Sequence, residues 1–330
     1  MEQLDEGELC FPQLLNASCR RPAERRGAPD TVLYILLSSV SLSTVTLNLL
    51  VIISISHFRQ LHTPTNLLLL SLAVSDFLVG LLLMPGRILR LDGCWYLGDV
   101  ACGGFYFASF VLTSASVGNM VLVSIDRYVS ICDPLSYPSR VTRTRVKVCI
   151  CLCWTCSLVY NGAILHDFLR RPDRHNSCYG ECNIRISAVS RVVDMALTFV
   201  GPILVIVALY LRVFGTAASQ LRAIRSQIAA VTLQPAGLHV KRSSRKAATA
   251  VSVVVLVFLI CFLPFFSATL IPSTSSASTA FYIFGIWLLY SNSLFNPLIY
   301  AFFYPWFRRC VKLTFSLQIL QPGSSDTNIL

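Results

Sequence analysis

The sequence predicts an all-α membrane protein, a bundle of seven transmembrane helices, and three observations carry that expectation. The 330-residue chain is 55% hydrophobic and only 13% charged, with a mean hydropathy of +0.65, whereas a soluble domain carries about 25% charged residues. Seven apolar runs, near 31–57, 65–90, 101–131, 148–166, 188–213, 248–271 and 280–303, come close to or exceed the roughly 20 residues a helix needs to cross hydrocarbon. The segments between them alternate in charge, which assigns them to two different sides.

Residues 1–30 form a polar arm of mixed charge, so no cleavable signal peptide is expected and the first run acts as its own insertion signal. With that arm outside, the inner segments hold fifteen Lys/Arg against Asp133 and Asp326 alone, seven of them between Arg212 and Lys246. The outer segments hold eleven Lys/Arg and eleven acids. The sign of this bias follows the positive-inside rule and places the N-terminus outside. The net charge of +11 then reflects topology and a cytoplasmic partner surface, not nucleic-acid binding. Three parts follow: an extracellular arm at 1–30, a transmembrane domain at 31–303, and an amphipathic helix with a cytoplasmic tail at 304–330.

Six cysteines (Cys10, Cys19, Cys94, Cys102, Cys178, Cys182) fall on the outer side, where oxidation is available. The four in "CICLCWTC" have metal-like spacing but lie inside the fourth run, where they read as small apolar helix residues. Asn16-Ala17-Ser18 is a glycosylation sequon on the arm. After the seventh run, "PWFRRCVKLTF" mixes apolar and basic residues at helical spacing, which suits a helix lying in the membrane interface. Cys310 within it is a candidate for palmitoylation.

Polar residues inside the runs are functional candidates by default, because each is costly in hydrocarbon. They are Asn48, Asp76, Asp126-Arg127-Tyr128, Asp194, Tyr210 and the set in "NSLFNPLIY". The seventh run contains no Lys for a retinal Schiff base, and no HExxH or GxSxG motif lies in the spans. No enzyme chemistry is therefore expected.

Asn48, Asp76 in "LAVSD", Asp126-Arg127-Tyr128, Trp154, Pro202, Pro264 in "CFLP" and "NPLIY" at Asn296–Tyr300 fall one per helix, in order. This set resembles the rhodopsin-type G-protein-coupled receptors over about 31–317. The run "NSLFNPLIYAFFYPWF", with "CWYLG" and "CYGEC", resembles the trace-amine-associated receptors among them. The resemblance implies a rhodopsin-like bundle with a short eighth helix, no cofactor beyond a sodium ion at Asp76, and multi-pass insertion in the plasma membrane. It implies an amine ligand, membrane lipid around the bundle, and a heterotrimeric G protein of the stimulatory, olfactory type that raises cAMP.

Residue roles follow from the same resemblance. Asp76, Asn48 and Asn296 converge around sodium and water, although a plain hydrogen-bond network between helices explains them equally. Pro202, Pro264 and Pro297 each kink a helix, the last two in helices that move on activation, and Arg127 leaves Asp126 to face the G protein with Tyr210 and Tyr300, Tyr128 completing the activation set. Cys102 pairs with Cys182, and Cys178 pairs with Cys19 or else Cys10, a choice that sequence does not fix. The position two residues before Lys246, often an acid in the family, is Ser244 here, which implies basal signalling.

Most amine receptors hold the ligand cation on an aspartate seven residues after the third-helix cysteine; here that position is Ser109, counted from Cys102. Asp194 restores an acid on the fifth helix, as in a branch abundant in bony fish. Asp194 and Thr198 one turn deeper would anchor an ammonium opposite Ser109 and Thr113. Phe262, Phe265, Phe266, Trp287 and Tyr290 would surround it with aromatic faces. Phe262 departs from the family's usual tryptophan. Two rivals stand: an internal pair of Asp194 with Arg191 at i, i+3 spacing, and an acidic or zwitterionic ligand held by Arg87 or Arg90. A non-signalling seven-helix scaffold is the alternative outside receptors.

Overall fold

The computed structural model describes residues 8–14, 17–21, 28–174, 176–230, 253, 256–270 and 275–329. Two short strands, β1 (Glu8–Leu9) and β2 (Arg20–Arg21), pair antiparallel in the arm. The helices are α1 (Ala28–His57), α2 (Pro64–Leu78), α3 (Met84–Leu89), α4 (Gly98–Cys132), α5 (Tyr137–Arg140), α6 (Arg143–Ile164) and α7 (His166–Arg170). They continue with α8 (Ala188–Met195), α9 (Gly201–Ala230), α10 (Leu256–Leu270), α11 (Ser276–Phe303) and α12 (Pro305–Phe315).

Among the described residues, five stretches are long and apolar enough to cross a membrane: Thr31–His57, Pro64–Leu89, Gly98–Cys132, Arg143–Ile164 and Ala188–Thr216. The α10 stretch is a shorter apolar helix, and α11 runs for 28 residues. Helix starts are written locally. Thr63, Thr142 and Ser187 each accept a backbone N–H from the first turn of α2, α6 and α8, and Ser275 with Ser278 forms a capping box on α11.

Two π turns interrupt the second and fifth runs, at Val79–Leu83 and Ala196–Val200. Pro85 and Pro202 explain them: each lacks an N–H for the carbonyl four residues back, at Leu81 and Thr198, and both carbonyls lie inside the π turns. The expected distortion at Pro202 thus takes the form of a widened turn, and Pro85 adds one that the sequence reading did not include.

Helix α4 is the centre of the bundle, packing on α2, α6 and α9, while α1 packs on α2 and α11. Gly285 lets α11 close on α10, since a Cβ there would come within 2.8 Å of the Phe265 backbone. Large apolar side chains point outward, among them Leu42, Val159, Leu204 and Leu211, and Cys149, Cys151 and Cys156 share that outer surface. Such a surface suits lipid rather than water.

Helix α12 turns its apolar stripe inward, burying Trp306, Phe307 and Cys310. Cys310 is wholly inaccessible, its thiol against Ser54 of α1. The sulfur thus faces the bundle and not the interface, an orientation that disfavours the palmitoylation expected there. The tail folds back on the α1–α2 link: Asp326 pairs with Arg59 at 3.5 Å, and Ser324 Oγ lies 2.9 Å from His57 Nε2.

Candidate functional site

The end of the bundle that carries the arm, called the outer end below, is closed by three disulfides, Cys102–Cys182, Cys19–Cys178 and Cys10–Cys94. The third was not anticipated. It ties the arm to the link between α3 and α4, where Cys94 is buried, and Ser18 bridges to Tyr179 beside it. Arg21 hydrogen-bonds the Tyr96 hydroxyl at 2.8 Å and lies 3.8 Å from Glu8 and 3.5 Å from Asp92. That hydrogen bond and the neighbouring acids raise its pKa further above its already high value. Asn16 lies outside the described residues, as do Ser244 and Lys246.

Below this lid, Asp194 projects from the last turn of α8 and is half-buried. Its Oδ1 accepts from Thr198 Oγ1 at 3.1 Å and from Tyr160 of α6 at 3.5 Å. The Thr198 hydroxyl also donates to the Asp194 carbonyl. Both donors are neutral, so the carboxylate is oriented without being neutralised. Arg191 is exposed and forms no ion pair among the described residues, so the rival i, i+3 partnership with Asp194 is not formed there. Tyr160 is a contact that the sequence reading missed; it was legible only as one aromatic of the fourth run.

Ser109 is buried and donates to the Phe105 carbonyl at 2.8 Å, and Thr113 is half-buried one turn below on α4. The α10 aromatics form a ladder. Phe262 sits 4.0 Å from Phe258 and 6.4 Å from Phe266 between ring centroids, and Phe266 stacks on Phe199 at 4.1 Å. Phe265 meets Phe266 at 5.2 Å and Tyr282 of α11 at 5.8 Å. Trp287 packs edge-on against Tyr290 at 6.5 Å, and the Tyr290 hydroxyl is turned towards the Arg87 guanidinium.

Deeper in the bundle, Asp76 is fully buried. Its Oδ1 accepts from Ser293 Oγ at 2.8 Å and its Oδ2 from Asn296 Nδ2 at 2.7 Å. Asn48 reaches the same place by donating to the Ser293 carbonyl at 2.9 Å. The Oδ1 atoms of Asn48 and Asn296 are buried without a hydrogen-bond partner. Ser293 lies inside the polar run that the sequence reading marked, but it was not singled out.

At the inner end, Arg127 is ion-paired with Asp126 and donates to Thr65 Oγ1 at 2.5 Å. The other Asp126 oxygen accepts from Tyr137 of α5 at 2.8 Å. Tyr128 is half-buried next to this pair, and Tyr210 and Tyr300 are buried nearby on α9 and α11. The Tyr300 hydroxyl is without a hydrogen-bond partner. Pro297 lies inside α11 three residues before it, and Pro264 lies inside α10. A buried carboxylate mid-bundle, a paired arginine at one end and a stapled cavity at the other form an arrangement for binding and conformational change.

Comparison with known proteins agrees. The model of the "7 transmembrane receptor (rhodopsin family)" matches residues 47–300. Trace amine-associated receptor 13c of Danio rerio is 36% identical over 340 residues, covering 99% of this chain and 98% of its own. Receptor 8b of Rattus norvegicus is 35% identical over 98% of this chain and 96% of its own. Receptor 7e of Mus musculus is 37% identical over 98% and 92%. The chain therefore belongs to the trace amine-associated receptors of the rhodopsin family: a multi-pass plasma-membrane receptor, not an enzyme, whose partners are a small-molecule ligand and a G protein.

Proposed function

We propose that this receptor detects amines, in olfactory neurons, by pairing the ligand's ammonium with Asp194. The observation that carries the reading is the state of that carboxylate. It is partly buried, accepts only from the neutral hydroxyls of Thr198 and Tyr160, and has no basic partner among the described residues. A carboxylate with one formal charge left over, placed in an apolar bundle, is stabilised most by a cation. Ser109, at the family's usual anchor position, offers no charge. The ligand would therefore lie reversed, its cation on α8 between Thr198 and the aromatic ladder of Phe262, Phe265 and Phe266. Ring faces there add cation–π attraction, up to about 2 kcal/mol when desolvated. Thr113, Trp287 and Tyr290 would complete the walls. The name "trace amine-associated receptor" on the relatives supports the ligand class.

The rest of the reading is built on the same frame. Seven helices cross the membrane, α10 and α11 being the last two, with the arm outside and α12 in the inner interface. At rest Arg127 is held by Asp126. On activation it turns to a stimulatory G protein with Tyr210 and Tyr300, raising cAMP, while Pro264 and Pro297 supply the hinges. Asp76, Ser293 and Asn296 with Asn48 fit a sodium ion: the carboxylate has no cationic partner among the described residues, and two amide oxygens next to it are unsatisfied. The ion would supply the missing positive charge.

The test is an amine panel on cells expressing the receptor, read by cAMP at matched surface expression. The expected result is at least one agonist amine whose response Asp194→Ala removes and Asp194→Glu partly keeps. An agonist amine acting equally on wild type and Asp194→Ala would overturn the anchor.

A further inference from the structure

Two arginines stand at the outer end of the bundle without an acid among the described residues. Arg87, in the last turn of α3, places its guanidinium 5.3 Å from the Phe105 ring centroid and 5.8 Å from that of Tyr106. The hydroxyls of Tyr290 and Tyr282 on α11 face it, and its Nε is buried with no hydrogen-bond partner. Arg90, one turn on, donates to the Tyr106 hydroxyl at 2.7 Å and to Asn183 at 3.4 Å. Neither forms an ion pair among the described residues, in contrast to Arg21 just above, which has Glu8 and Asp92. Glu181 is the acid that lines the same outer cleft as Arg90, but its oxygens are taken by Ser177 N and Asn183 Nδ2.

The placement is built. Gly86 carries no side chain where a Cβ would come 2.5 Å from the Phe105 ring, so α3 approaches α4 closely enough to lay Arg87 on that ring. A guanidinium lodged among aromatic rings and hydroxyls keeps its charge but lacks the planar, two-oxygen acceptor that it binds best. Aromatic faces offset part of the burial cost, and an unpaired buried N–H remains unfavourable. A carboxylate satisfies both needs at once.

We infer that Arg87, supported by Arg90, Tyr282 and Tyr290, forms an anion subsite that receives a carboxylate on the amine ligand. The subsite lies on the α3–α4–α11 wall and Asp194 on the α8 wall, with α4 packed between α2 and α9. A ligand engaging both carries its two charges at opposite ends. The chemical class is an amino-carboxylate with an extended spacer, rather than an α-amino acid. This rests on the amine anchor at Asp194, and the experiment separates the two.

The experiment measures ligand-induced thermal stabilisation of the purified full-length receptor, which is independent of the G protein. The probes are a homologous series of ω-amino acids, their methyl esters, and n-alkylamines of matching length. The expected result is a spacer length at which the free acid binds roughly ten- to hundredfold more tightly than its ester, as for a charged hydrogen-bonded contact. In Arg87→Gln that acid-to-ester ratio falls to about one, and in Arg87→Lys it is intermediate. The ratio is taken within each variant, so a general loss of folding does not imitate it, and Arg90→Gln serves if Arg87→Gln does not express. Acid and ester binding equally at every length, or a ratio unchanged in both glutamine variants, would overturn the subsite. If Asp194→Asn spares the alkylamines while Arg87→Gln still abolishes the ratio, the amine anchor fails and the anion subsite stands.

Discussion

The hydroxyl of Tyr160 on α6 donates to the carboxylate of Asp194 on α8 across 3.5 Å. The contact fixes which way the acid faces, because Thr198 approaches the same oxygen from one turn below. It is a long bond, near the limit at which hydrogen bonding retains strength. Its role is to orient the carboxylate, and neither hydroxyl neutralises the charge.

Tyr160→Phe is therefore expected to weaken agonist amines about two- to tenfold, the range for one modest hydrogen bond. Maximal response should be kept. Concentration–response curves in cAMP, normalised to surface receptor, check this. A loss as complete as that of Asp194→Ala would mean that Tyr160 does more than orient the acid.

The inner end makes a second prediction. Asp126 is nearly inaccessible and accepts from Arg127, Thr65 and Tyr137 together. Asp126→Asn retains the shape but removes the charge that holds Arg127, and a buried pair broken on one side is strongly weakened. Losing even about 1 kcal/mol of resting-state stabilisation raises a sparsely populated active state about fivefold. Ligand-free cAMP should rise accordingly. Tyr137→Phe, which removes one neutral donor, should raise it less. Basal signal equal to wild type in Asp126→Asn at equal surface expression would show that the pair does not restrain the receptor.

Much of this frame was legible in the sequence, for a physical reason. Hydrocarbon penalises each polar group, so Asp76, Asp126, Asp194 and their neighbours stand out against apolar runs, and proline marks where a helix must deform. What was not legible depends on rotation and on partners from distant segments. Whether Asp194 would meet Arg191 or Tyr160 depends on the turn of α8, which the π turn at Ala196–Val200 helps to set. The Cys10–Cys94 bridge joins residues 84 apart, and six cysteines allow fifteen pairings. Cys310 was read from the apolar-basic alternation as a palmitoylation candidate on an interfacial helix, but the periodicity of a short helix does not say which apolar surface it meets. That Arg87 meets no acid among the described residues has no sequence signature, because its neighbours are visible only once the fold gathers them.

The last prediction concerns Cys310. Its side chain is wholly buried against α1, and burial pushes the thiol up to about 11. The thiolate is the reactive form, so at pH 8 the group is both shielded and protonated. Palmitate and alkylating reagents should therefore pass it by in the folded receptor. Cys149, Cys151 and Cys156, exposed on the outer surface of α6, provide an internal comparison with a membrane-permeant maleimide. Peptide mapping should find Cys310 labelled only after denaturation, and metabolic labelling should find no acyl chain on it. Cys310→Ala should then act on packing, lowering the thermal midpoint by removing a sulfur from the α1–α12 contact, with membrane association unchanged. Stoichiometric acylation of Cys310 in receptor isolated from cells would require α12 to leave α1 and would overturn this account of the inner interface.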